Sequence, residues 1–125
     1  MNRSLFAACI AAGLVAMPAS AAPGDMSVGT FLDRVAALKA RGAMALFSSD
    51  VGMLRREATA AGQAYTARLA TERAQHRPSS CPPQGARPSQ DQWLSHLGTY
   101  SSAARASTNL RVAMADYFIK TWPCR

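Results

Sequence analysis

The side chains of this 125-residue chain with nucleophilic or ligating chemistry are three cysteines, two histidines and a scatter of serines. Their spacing narrows what they can do. Neither His76 nor His96 stands where a second His, a Cys or a carboxylate would complete a recognisable metal motif. No G-x-S-x-G turn accompanies the serines, so a Ser-His-Asp set could be assembled only by free choice of residues. The glycines form no phosphate-cradling loop. The sequence thus offers no catalytic constellation, no metal site and no cofactor site, and the expectation is a protein that is not an enzyme. The remaining chemistry is that of thiols, and Cys81 and Cys124 each lie beside a proline.

What those thiols do depends on the compartment. Arg3 supplies a short positive segment, Leu5 to Met17 form an uncharged apolar run, and Pro18-Ala19-Ser20-Ala21 ends in the small-x-small pattern of a secretory cleavage site. The run is shorter than the roughly 20 residues of a spanning helix. Cys9 lies inside this run, not after it, and would leave with the leader. Residues 1–21 are therefore read as a cleaved signal peptide and residues 22–125 as one exported, periplasmic domain with no membrane-spanning segment. That domain keeps Cys81 and Cys124 as its cysteines, an even number suited to one disulfide in an oxidising compartment. Closing so long a loop contributes about 4 kcal/mol in the chain-entropy model.

The elements that must position this staple read as helices. Ser27 can cap a first helix carrying Val28, Phe31, Leu32, Val35 and Leu38 three and four apart, and Gly42 stops it. A short apolar turn, Ala43 to Phe47, leads to Ser48-Ser49-Asp50 and a second long helix. Val51, Leu54, Ala58, Ala61, Tyr65 and Leu69 form its buried stripe, and Gly62 could bend it. Residues 77–89 turn proline-rich, giving a loop that is either ordered by Cys81 or flexible. Ser89 and Gln92 have capping-box spacing ahead of Trp93, Leu94 and Leu97. After an interruption at Gly98 to Ser102, a last helix carries Leu110, Ala113, Met114, Tyr117, Phe118 and Trp122 up to Pro123. With no alternating strand pattern of useful length, the fold class is all-α: a small four- to five-helix bundle stapled by one disulfide.

Charge is the other chemical resource. Fourteen Lys and Arg face seven Asp and Glu, a formal charge of +7. Arg68, Arg73, Arg77 and Arg87 lie around the end of the second long helix and the proline loop, with Glu72 among them. One reading is a solvated face that keeps the protein soluble; the other is a patch that steers an acidic partner. Nucleic acid fits poorly, because the arginines lack interleaved aromatics. Anionic lipid surfaces stay open as partners, although no helix combines a basic face with a large exposed apolar one.

The run Ser80-Cys81-Pro82-Pro83, the capped helix with Trp93 and Leu97, and the ending Tyr117-Phe118-Ile119-Lys120-Thr121-Trp122-Pro123-Cys124 resemble the C-terminal half of the Rap/Tai family of type VI secretion amidase immunity proteins. The resemblance implies a small exported helical protein that binds and blocks a peptidoglycan amidase effector in the periplasm. It implies Cys81 and Cys124 as disulfide partners, with Pro82, Pro83 and Pro123 shaping the turns that present them. Arg73, Arg77, Gln84 and Arg87 are the candidate partner-binding residues. The alternative is a periplasmic stress or chaperone-like helical protein with no dedicated toxin partner, although seven carboxylates offer few acid switches. An exposed apolar stripe would also allow a homodimer.

Alkylation of the unreduced, denatured protein is expected to label neither Cys81 nor Cys124, and reduction should expose both and lower the melting temperature markedly. Quantitative labelling without reductant would exclude the bridge.

Overall fold

The computed structural model describes residues 21–125, and all but Ala21 of the expected leader lies outside the described residues. Helix starts follow local capping chemistry. The Ser27 hydroxyl accepts from the Thr30 amide and opens α1 (Val28–Arg41), which ends at Gly42 with φ +60°. A six-residue 3-10 turn, Gly42–Phe47, follows, and the Ser48 side chain accepts from the Asp50 amide at the start of α2 (Ser49–Ala74). Asp50 in that first turn also complements the helix dipole. The expected capping box is formed in full: Ser89 and Gln92 satisfy each other's backbone amides at the start of α3 (Gln90–Gly98).

The interruption after α3 is shorter than the sequence suggests. Ser101 caps an additional helix, α4 (Ser102–Ser107), and Asn109 then caps α5 (Leu110–Thr121) by accepting from the Val112 amide. Six residues of Ser, Ala and Arg are too few and too polar to show an apolar period. Trp122 stands just past α5, so Pro123 follows a helix that has already ended.

α5 is the axis of the core. Leu110, Ala113, Met114, Ala115, Tyr117 and Phe118 are all buried on it, and its main packing partner is α2. From α2 come Leu54, Ala61, Tyr65 and Leu69, while Val51 and Ala58 of the expected stripe are only half-buried. The Tyr65 and Phe118 rings lie 4.8 Å apart, and Phe118 continues to Trp122 at 5.1 Å. Trp93 and Leu97 of α3 and Val28 and Phe31 of α1 complete the cluster. α1 packs on α4 as well as on α2 and α3. The result is an all-α bundle with a Cys81–Cys124 disulfide bridging Cα atoms 4.9 Å apart.

An extended strap ahead of α1 is held against the start of α5. The Val28 amide donates to the Thr108 carbonyl at 2.8 Å, and the Leu110 and Arg111 amides donate to Met26 and Gly24 at 3.0 and 3.2 Å. Arg111 closes the strap from outside, pairing with Asp25 at 3.1 Å and reaching the Pro23 carbonyl at 2.9 Å. Gly24 is the pivot. It is buried, has φ +93°, and gives its amide to Glu57 Oε2 at 2.7 Å. A Cβ there would meet Arg111 Nε at 3.1 Å and the Ala61 backbone nitrogen at 3.2 Å.

Gly24→Ala should therefore destabilise by about 2 kcal/mol, since strain at positive φ adds to the close approach of α2 backbone. Gly85→Ala supplies the comparison: its φ is +74° but a Cβ would meet nothing within 4 Å. Urea unfolding of both variants is expected to show the larger loss at Gly24. Equal losses would mean that the strap does not press on α2.

Candidate functional site

The candidate site is built where α2 ends and the proline loop begins. The helix closes with a Schellman arrangement in which the His76 amide donates to Arg73 O at 3.0 Å and the Arg77 amide to Glu72 O at 2.8 Å. His76 itself occupies the left-handed position, φ +56°, where glycine or asparagine is usual. This exposed imidazole turns the chain. No group of three or more His, Cys, Asp or Glu side chains suited to a metal ion occurs among the described residues.

Past that reversal the loop is fastened from within. Glu72 Oε2 accepts both the Ser79 amide at 2.8 Å and the Ser79 hydroxyl at 2.5 Å, while Arg68 Nε donates to Oε1 at 2.6 Å. These bonds, those from Ser79 foremost, hold the Glu72 carboxyl down at about 2 against an ordinary 4.5. Ser80 is fully buried, its hydroxyl 2.6 Å from the Tyr65 hydroxyl. The Cys81 amide donates to Trp122 O at 2.8 Å beside the disulfide. The staple therefore ties the loop to the end of α5, and the loop is ordered.

The sequence-derived candidates all lie on this segment and all are exposed. Arg73 reaches the Pro82 carbonyl at 3.5 Å, joining helix to loop. Arg77 follows the reversal directly. Gln84 is at the outer corner of a turn in which the Ala86 amide donates to Pro83 O at 3.1 Å and Gly85 supplies the positive φ. Arg87 lies just beyond. Glu72 is engaged by Ser79 and Arg68, and Arg73, Arg77 and Arg87 make no ion pair among the described residues. The segment thus presents uncompensated positive charge on a fixed backbone.

His96 has a different part. It is buried on α3, where Nε2 lies 2.9 Å from the Ala113 carbonyl, and its ring packs between Trp93, Tyr100 and Tyr117. Burial pushes its pKa below the ordinary 6.5. Next to it the Tyr100 hydroxyl donates to Asp116 at 2.5 Å; burial, with the Asp116 carboxylate, raises the phenol's pKa. Thr99, Tyr100, Asp116, Ile119 and Lys120 line a shallow cleft of about 230 Å³ there. Its phenol is committed as a donor to its carboxylate, so this cluster is a packed polar network with no activated nucleophile. The Glu72–Ser79 and Tyr65–Ser80 contacts had no sequence signal, because each joins residues of ordinary type across a loop.

Glu72 and His96 set the acid response. The unfolded chain takes up protons at His96 before the folded one does as pH falls below about 6.5, and at Glu72 between about 4.5 and 2, so stability declines in both windows. Melting temperature against pH should show this two-stage loss. His96→Gln should flatten the upper stage and Glu72→Gln the lower one; a Glu72→Gln profile parallel to wild type would contradict the loop clasp.

No family model, curated protein or solved structure matches the chain.

Proposed function

We propose that this chain is an exported protein-binding module of the inhibitor type, acting as an immunity protein that blocks a peptidoglycan amidase effector in the periplasm, with no turnover of its own. The observation that carries this reading is the fastened basic loop. A linker needs no internal clasp, yet residues 79–81 are held by Glu72, Tyr65, the Trp122 carbonyl and the disulfide. Fixing a loop before binding removes the ordering cost at the moment of association. Uncompensated arginines on that loop raise the encounter rate with an acidic surface.

Two further features support the compartment and the class. A disulfide persists in an oxidising space, and the leader-like pattern of residues 1–21 is of the kind that delivers a chain to one. The Cys-Pro-Pro and Trp-Pro-Cys segments behind the family resemblance are the two ends of that disulfide. Arg73, Arg77, Gln84 and Arg87 are the contact residues of this proposal.

Replacing Arg73 and Arg77 together with alanine should slow association with the effector about tenfold at low salt and reduce its salt dependence, leaving the far-ultraviolet spectrum unchanged. Co-expression of the wild-type protein should rescue cells from lysis by an exported amidase encoded in the same genome. A correctly folded protein that neither binds nor protects against any such amidase would defeat the immunity reading.

A further inference from the structure

We propose a second, separate binding surface: the 3-10 turn between α1 and α2 is a membrane-surface anchor that sets Met44, Leu46 and Phe47 into the headgroup region of a bilayer rich in anionic phospholipid. This goes beyond the inhibitor reading and does not rest on it. Met44, Leu46 and Phe47 are 70, 79 and 85% exposed, the most exposed large apolar side chains among the described residues. They sit on one six-residue turn at the tip of a helical hairpin. No helix supplies this apolar surface, so a search for an amphipathic helix passes over it.

Charge identifies the occupant. Between residues 33 and 57, Arg34, Lys39, Arg41, Arg55 and Arg56 outnumber Asp33, Asp50 and Glu57, and Glu57 is taken up by the Gly24 amide. Arg34 and Arg41 both converge on the Asp50 carboxylate, at 3.4 and 4.0 Å. Lys39, Arg55 and Arg56 make no ion pair among the described residues. With a rise of about 1.5 Å per residue, these basic residues fall within about two to three turns of the tip. An apolar point inside a basic collar matches an anionic interface, where apolar burial and attraction to lipid charge act together.

A second copy of the chain fits less well. An isologous contact through this tip would set two such basic collars against each other. Three side chains on one turn also fall well short of the roughly 800 Å² per partner of a stable interface. A bilayer requires neither charge relief nor shape complementarity.

The test is co-sedimentation of the oxidised protein, residues 22–125, with vesicles of phosphatidylcholine alone or mixed with phosphatidylglycerol. Binding is expected only to the mixed vesicles and should weaken as salt rises. Leu46→Ser combined with Phe47→Ser should reduce partitioning at least tenfold with an unchanged helical spectrum, since neither side chain belongs to the core. Lys39→Gln and Arg55→Gln should each reduce it about fivefold. The Arg73→Ala/Arg77→Ala variant, altered at the loop and not at the tip, should lose less than either. No binding by the wild type, equal binding to both vesicle types, or binding that survives the Leu46/Phe47 change would overturn the proposal. Light scattering that showed a tip-dependent dimer with no vesicle binding would assign the turn to a second copy instead.

Discussion

The bundle depends on one constraint: α5 must be enclosed on most of its circumference. Ala113, Met114 and Ala115 are consecutive and all buried, and consecutive helical residues lie about 100° apart. No single flat partner can cover such a helix. The rest of the chain supplies the cover, with α2 on the broad side, α3 beside it and the strap across its start. The disulfide then fixes the segment just past its end. Small residues at 113 and 115 let neighbours approach closely, and large ones at 114, 117 and 118 fill the remaining space.

Because α5 takes up so many of the aromatic and aliphatic side chains, little of that chemistry remains for a cavity. His96, the buried imidazole, is spent on orienting α3 against the Ala113 carbonyl, and His76 on reversing the backbone. Chemical distinctiveness moves to the surface, in two places of opposite construction. The proline loop is polar, basic and clasped from inside, whereas the α1–α2 tip is apolar and held only by its two helices. A single basic composition is thus divided between a surface suited to an acidic protein and one suited to an acidic interface.

Much of the architecture is legible from local chemistry. Ser27, Ser48 and Ser89 mark helix starts and Gly42 a helix end, because capping satisfies backbone groups within a few residues. The cysteine pairing is also readable. What escapes is non-local. Ser27 and Val28 read as a helix start, but nothing marks residues 24–28 as a strap until Thr108, Leu110 and Arg111, eighty or more positions away, give its backbone partners. α4 is too short to carry a period. The candidate loop residues are recognisable by type, but the clasp that fixes them requires Glu72 to face Ser79, which only the helix reversal at His76 brings about. The exposed tip is visible in sequence as an apolar run and invisible as a surface, since composition does not say which apolar residues find a partner.

The strap also fixes the order in which the protein can become a protein. Residues 24–28 emerge early, yet their backbone partners at 108–111 come after every other helix has been made. Until α5 arrives, Leu54, Tyr65, Leu69, Trp93 and Leu97 lack the helix at the centre of their core. The nascent chain therefore carries its apolar faces incompletely paired for most of its synthesis, and native contacts of such long sequence separation form slowly. The last helix also delivers Cys124, so the Cys81–Cys124 bond, which needs a two-electron oxidant to take up the electrons of the two thiols, is the closing event.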